Sequence, residues 1–412
     1  MTARRVCFVT TFYPPAAFGG DAVAVQRLAR AFARRGWDVT VVHNADAYAA
    51  LAGAHAGLPP IDPFGVKVVT LRSRFPKLTT LLLQQTGRPV AHARRLGRFL
   101  DDGGFDTIVF NNTSLIGGPG VLACGRHAVK IYIAHEHWLV CPTHVLWRHN
   151  REPCSGRQCL RCQVHYRRPP QAWRHLGRLG RDLAHIDTFV AMSEFSRAKH
   201  REFGFPREMT VLPYFTPDPV AVDPPADTAE PGGRPYFLFV GRLERLKGLD
   251  DVLDAFGRYD GADLVVAGEG THGDALRRRA AGNPRVRFVG RVPNERLAAC
   301  YRGATALIVP STGFETFGLT LIEGFSHGTP VIARRRGSFP EIVERAGGGL
   351  LFESQEDLLA AMRSLQTDAA LRARLARAGE AAFRRYWSED VVVPRYLEIV
   401  EEARARRLAV TA

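Results

Sequence analysis

No run of eighteen or more apolar residues occurs in the chain, so no segment is long enough to cross a bilayer as a helix. The amino terminus, Met1-Thr2-Ala3-Arg4-Arg5-Val6, enters a strand-like segment with no separate apolar stretch and cleavage site. A secretory signal is therefore not expected, and the cytoplasm is the default location. Low-complexity and collagen-like composition are absent too: 46% hydrophobic and 24% charged residues fit an ordinary globular chain. Acid is the scarce charge, 41 Asp and Glu against 56 Lys and Arg, for a formal net charge of +15. The shortage is local, since nine arginines between Pro142 and Arg181 face one acid, Glu152. Such a patch suits phosphate-bearing small molecules, anionic membrane or nucleic acid; a solvated arginine-rich loop is the plain alternative.

What is present is rhythm. At 412 residues the chain is long enough for two or three domains. Short β-branched runs alternate with helical patterns: 5–12, 37–44, 66–73, 105–112, 128–135 and 187–194 in the first half. Between the first two, Val25, Leu28, Ala29 and Phe32 recur at helical spacing, with Asp21 expected as N-cap and Gly36 as stop. Strand, helix, strand at this spacing predicts a parallel sheet with helices on both faces. Prolines at 213, 217, 219, 224, 225, 231 and 235 then break the pattern and predict a linker over 214–235. Strand runs resume at 236–241, 264–268, 286–289, 306–310, 330–333 and 349–352. The expected organisation is an N-terminal domain over 1–213, a second over 236–387, and a terminal helix within 388–412 that crosses back to the first. Two doubly wound α/β domains would face each other across a cleft lined by strand carboxyl ends.

The segment Pro310 to Gly324 concentrates chemistry. Glu315 and Glu323 lie eight positions apart across a strand-loop-helix transition, with Gly318 at the turn. Free backbone amides at the start of that helix, aided by its dipole, make an anion site. Glu323 is expected about two turns into the helix. A second segment, Gly241-Arg242 followed by Lys247-Gly248, leaves the first strand of the second domain and supplies two cations at the sheet's carboxyl edge. A departing diphosphate needs such neutralisation.

These two segments carry a resemblance. The chain resembles the retaining glycosyltransferases of family 4, which have the GT-B fold, in a subgroup with a cysteine-rich loop in the N-terminal domain. The glutamate pair matches that family's E-x7-E signature and Gly241 to Gly248 its G-R-x5-K-G segment. Gly19-Gly20 resembles the glycine pair of the first strand-helix loop, and Arg287 to Gly290 the strand end that meets the nucleotide base. The resemblance implies that Arg242 and Lys247 neutralise a donor diphosphate and that Phe317, Gly318, Leu319 and Thr320 frame its phosphates. It places Glu323 on the ribose, Glu315 on the transferred sugar, and Val289, Gly290 and Arg291 by the base. Gly19 and Gly20 would cover the β-phosphate side, and His135 would approach the sugar 6-hydroxyl, although a strand-end histidine is often structural.

The implied reaction moves a sugar, with retention, from a nucleotide-diphosphate sugar to an acceptor hydroxyl. A UDP-sugar is expected ahead of a GDP- or dTDP-sugar, and the acceptor is not readable. No Asp-x-Asp motif occurs, so no catalytic cofactor or metal is expected, and the cations at 242 and 247 take that role. A GT-B sugar-nucleotide epimerase or hydrolase is the alternative within enzymes.

Seven cysteines are present, four of them as Cys141, Cys154, Cys159 and Cys162 in an insertion over about 136–170. Their C-x12-C-x4-C-x2-C spacing fits a structural zinc site; four unliganded thiols, or remotely an iron–sulfur cluster, are the alternatives. In 167–181, Arg174, Arg178 and Arg181 are expected on one face of a short basic helix. That helix could rest on anionic lipid, making the protein peripheral at the inner membrane face, or line an acidic acceptor site, or it could be an ordinary packed helix. A zinc-containing nucleic-acid module remains a distant reading, and no nucleic-acid partner is expected.

Overall fold

The β-branched runs pair as two separate parallel sheets in a computed structural model, which describes residues 3–53, 61–219 and 234–411. The first sheet contains β1 (Arg5–Val9), β2 (Asp38–Asn44), β3 (Lys67–Leu71), β4 (Thr107–Phe110) and β5 (Val129–Ala134). A two-residue antiparallel pair, β6 (Trp147–Arg148) and β7 (Glu152–Pro153), lies in the cysteine insertion, and β8 (Thr188–Ala191) and β9 (Met209–Val211) complete the sheet. Its order is β3-β2-β1-β4-β5-β8-β9. The second sheet is β12 (Val286–Gly290), β11 (Asp263–Ala267), β10 (Tyr236–Val240), β13 (Ala306–Val309), β14 (Val331–Arg334) and β15 (Gly349–Phe352), in that spatial order.

These strands read as near-continuous apolar runs because helices cover both faces of each sheet. Phe8, Val9, Ile108, Phe110 and Ile133 are buried in the first unit, and Phe237, Leu264, Val266, Ile308 and Ile332 in the second. Each unit has its own apolar core. Truncating Phe237 to alanine would cost about 3–5 kcal/mol through lost burial and the void left behind.

The chain divides into Met1–Pro213 with Val392–Ala412, and Tyr214–Val391. Most of the linker expected over 214–235, namely 220–233, lies outside the described residues. The terminal helix, Glu389–Thr411, starts in the second unit and ends in the first. There Arg406 donates to Thr188 Oγ1 at 2.8 Å and Arg407 pairs with Asp187 at 3.4 Å.

Asp21 does not cap the first helix, Gly20–Arg34. Gly19 holds the N-cap position in extended backbone, and Asp21 sits in the first turn, where the helix dipole favours an acid. Its carboxylate accepts from Asn112 Nδ2 at 3.3 Å. Gly36 does stop the helix, with φ +82° and its amide on Ala33 O.

In each sheet the strand order reverses beside the first strand of its unit, at β1/β4 and at β10/β13. A crevice opens outside the carboxyl ends at such a reversal, and ligands of open α/β sheets bind there.

Candidate active site

In the second unit that crevice falls on the motif residues. Gly241 and Arg242 follow β10, and Pro310 and Ser311 follow β13. Two glycines let the loops interlock. A Cβ at Gly268 would lie 1.9 Å from Gly241 O, and one at Gly248, where φ is +68°, would lie 2.2 Å from Pro310 O. The single 3₁₀ turn Arg245–Lys247 is fastened to the opposite loop, since Leu246 O accepts from Thr312 N at 2.9 Å and Gly313 N at 3.3 Å.

This clasp brings Lys247 to Glu315, Nζ to Oε1, at 2.6 Å, with both side chains about one-third exposed. A charge pair so open to water adds little stability. What matters is position, since a cation and a carboxylate meet at the carboxyl edge of the sheet. Arg242 likewise pairs with Glu244 at 2.9 Å, and Glu244 also accepts from Thr271 Oγ1 at 2.8 Å.

Gly318 caps the helix Leu319–Ser326 with no side-chain hydrogen bond, so no side chain competes at its first turn. The Phe317 ring is buried edge-on to Tyr214, at 5.5 Å, and anchors the loop that precedes this turn. Glu323 is the fifth residue of the helix, little more than one turn in, rather than the two expected. The loop stays irregular through Phe317, with bends at Gly313 and Thr316, and the helix starts only after Gly318. Buried Tyr301 donates from Oη to Glu323 Oε2 at 3.1 Å and stacks on His327, which holds the carboxylate in place. Val289, Gly290 and Arg291 lie at the end of β12, and Val289 is 48% exposed, an apolar surface suited to a base.

In the first unit the crevice holds Gly19, Gly20, Asp21, Asn111, Asn112 and His135. His135 follows β5 and its Nε2 lies 2.8 Å from Asn111 Oδ1. Burial pushes the imidazole down to about 4, against the opposing charge of Asp21. It is therefore neutral at pH 7, with Nε2–H donating to the Asn111 carbonyl oxygen. Such a ring is a weak base, better suited to hold a hydroxyl than to deprotonate it.

Asn111, Asn112 and Tyr301 escaped the sequence reading. The Asn-Asn pair directly after an apolar run carried a signal, being polar at a strand's carboxyl end. Tyr301 carried none, since an aromatic at helical spacing reads as core.

The four cysteines of the insertion are free thiols lining one small cavity, with Trp147, Arg148 and Gln158 on its wall. Cys141 lies 3.3 Å from Thr143 Oγ1, Cys154 donates to Gly156 O at 3.2 Å, and Cys162 accepts from His149 N at 3.4 Å. The donor chemistry suits zinc. Even so, among the described residues no three His, Cys, Asp or Glu side chains are grouped so as to hold a metal ion. No step below depends on a metal there.

The basic helix expected over 167–181 is not one helix. A 3₁₀ turn, Ala172–Leu176, and a helix, Arg178–Leu183, are separated by Gly177 in left-handed conformation at φ +64°. Arg174 does not share an outer face with Arg178 and Arg181. Its guanidinium lies over Trp138 and Trp173, at 5.2 and 4.6 Å, and donates to Gln171 Oε1 and Trp138 O. Two indoles and a carbonyl offer it more than solvent does. Among the described residues, no helix is long and apolar enough to cross a membrane.

A family described as Glycosyl transferase 4-like domain matches residues 19–214, and one described as Glycosyl transferases group 1 matches residues 224–382. The lipopolysaccharide core biosynthesis glycosyltransferase LpsD of Rhizobium meliloti (strain 1021) is 28% identical over 230 residues, 54% of this chain and 66% of that protein. Other curated relatives are matched over as little as 37% of their length. Sucrose-phosphate synthase of Thermosynechococcus elongatus superposes with a TM-score of 0.73 at 20% identity, over 99% of this chain and 100% of that one. Anabaena Alr3699/HepE does so with a TM-score of 0.63 at 16% identity, over 97% and 99%. At such identities the likeness establishes the fold. With residues 19–214 matched by the one family and 224–382 by the other, the chain carries a glycosyltransferase 4-like domain followed by a glycosyltransferases group 1 domain, and it has the fold of the solved GT-B enzymes.

Proposed function

We propose that the chain moves a sugar from a nucleotide-diphosphate sugar, a UDP-sugar first, to an acceptor hydroxyl, with retention and without a catalytic metal. The observation that carries this reading is the Lys247–Glu315 pair at the second unit's crevice, next to the helix that starts after Gly318. A solved neighbour, HepE, was crystallised with UDP-glucose, which supports the choice of donor.

On this reading the diphosphate takes Lys247 from Glu315 and Arg242 from Glu244. Two charge-assisted contacts then form where negative charge grows as the bond to the phosphate breaks. The amides at Phe317 to Thr320 share that charge. Glu315, released from Lys247, accepts from hydroxyls of the transferred sugar, and Glu323 accepts from the ribose. Val289 packs on the base beside Gly290 and Arg291. Gly19 and Gly20 lie over the β-phosphate, and neutral His135 holds the sugar 6-hydroxyl. The acceptor oxygen bonds to the anomeric carbon on the face the phosphate leaves, and its proton passes to the departing phosphate oxygen.

Incubation with UDP-sugars and candidate acceptors in EDTA tests this, with the anomeric configuration of the product read by NMR. The reading expects a retained linkage and full activity. Strict Mn²⁺ or Mg²⁺ dependence, or inversion, would contradict it, and sugar release independent of acceptor would favour a hydrolase.

A further inference from the structure

The helix Pro76–Thr86 is apolar on the wrong side. Its buried residues are Thr79, Thr80 and Leu83, while Leu78, Leu81 and Leu82 are 54%, 45% and 44% exposed, and Phe75 at its N-cap is 60% exposed. Positions 75, 78 and 82 follow the helical repeat, so these side chains form one outward stripe. Thr79 spends its hydroxyl on Ser73 Oγ at 2.8 Å, and the buried Thr80 Oγ1 has no hydrogen-bond partner. A helix serving only its own core would turn the leucines inward and the threonines out.

The surroundings of the stripe are strongly basic. Residues 63–100 contain eight Lys and Arg and no acid; 153–181 contain seven Arg and no acid. The two segments are joined directly: Gln84 Nε2 donates to Pro169 O at 2.9 Å, Trp173 Nε1 to Gln84 O at 3.0 Å, and Arg178 to Thr86 O at 3.2 Å. Arg72, Arg74, Lys77 and Arg88 next to the helix are exposed, as are Arg167, Arg168, Leu176 and Arg181 on the joined segment. The acids nearby are Asp46, buried and occupied by Ser73 N and His92, and the half-buried Asp182, whose charge is faced by Arg88, Arg178 and Arg181.

We propose that the outward face of the Pro76–Thr86 helix, with the 167–181 segment bonded to it, docks on an anionic lipid surface. A protein partner would need complementary acids and a matching cavity; a bilayer supplies an apolar layer beneath a negative one. The leucines enter the headgroup boundary and the arginines around them meet the phosphates. The helix follows β3, so it starts at the carboxyl edge of the first sheet, the edge that also carries His135. An acceptor held in a membrane would be delivered to that edge. The docking does not depend on which donor is used.

Co-sedimentation of the full chain with vesicles tests it, using phosphatidylcholine alone and phosphatidylcholine with phosphatidylglycerol at equal amounts. Binding to the mixed vesicles is expected, weakening in high salt, with little binding to the neutral ones. The double substitution Leu78→Gln with Leu82→Gln should lower partitioning by about tenfold or more, since each leucine contributes burial. It should leave thermal stabilisation by UDP intact, which shows that the protein is folded and separates failure here from failure of the donor reading. Equal binding to both vesicle types, or unchanged binding by the variant, would overturn the proposal. So would concentration-dependent self-association without vesicles that the variant abolishes, because the face would then belong to a second copy.

Discussion

The crevice of the second unit and the cysteine insertion of the first both gather reactive side chains, but they are built in opposite ways. In the crevice, glycines at 248 and 268 let backbone touch backbone, and the charged groups above are already paired, Lys247 with Glu315 and Arg242 with Glu244. The insertion has little regular structure, and all five described non-glycine residues at positive φ lie there: His144, Leu146, His149, Asn150 and Arg167. Such backbone persists only where its surroundings over-determine it. On the proposed function the crevice exchanges these partners for a ligand, whereas the insertion needs something to hold it in shape.

The largest effect should come from the crevice. On the proposed mechanism Lys247→Ala removes a cation from a group whose charge grows in the transition state, so turnover should fall by roughly 10²-fold or more while the protein still folds. Steady-state kinetics with melting curves checks both, and near-normal turnover would remove Lys247 from the reaction.

A second effect separates the two regions. If Cys141, Cys154, Cys159 and Cys162 close on zinc, purified protein should carry about one zinc per chain, and Cys159→Ser should lower stability, since bound metal contributes folding free energy. Elemental analysis finding no metal in reduced protein would leave the insertion held by packing alone, Arg174 between its indoles included.

Within the crevice the two glutamates should differ. Glu323→Gln should weaken donor and free nucleotide diphosphate alike, whereas Glu315→Gln should mainly lower turnover. Equal and small effects on both would undo that division of roles.

A further effect concerns pH. Burial pushes His43, His135 and His200, all in the first unit, down to about 4, against about 6.5 in an unfolded chain. Between those values the unfolded state binds more protons, so stability rises with pH and is lost as pH falls from about 6.5 toward 4. Melting temperature measured across that window should drop steadily on acidification, and a flat profile would contradict buried, neutral histidines.

Much of this was legible in the sequence because parallel strands buried on both faces print as unbroken apolar runs. All twelve runs read from the sequence became sheet strands, while β9, three residues at a sheet edge, was too short to show. The spacing of Glu315 and Glu323 marked the crevice, although spacing could not show how far Glu323 sits into its helix. Local pattern failed where tertiary contacts overrode it. Arg174 reads as a surface charge until two tryptophans close on it. Leu78, Leu81 and Leu82 face outward because the fold turns Thr79 and Thr80 inward, which no pattern in the sequence marked. Asp21 reads as a cap until Asn112 arrives from ninety residues away.

The central claim is that Lys247, now held by Glu315, transfers to the donor's diphosphate. Thermal stabilisation by UDP and by UMP, measured on wild type and on Lys247→Ala, tests it most directly. A ligand at 100 times its dissociation constant adds about 2.7 kcal/mol, which a melting curve resolves. Wild type should gain more from UDP than from UMP, and the variant should lose that difference while keeping its response to UMP. A variant that still prefers UDP as strongly as wild type would contradict the account.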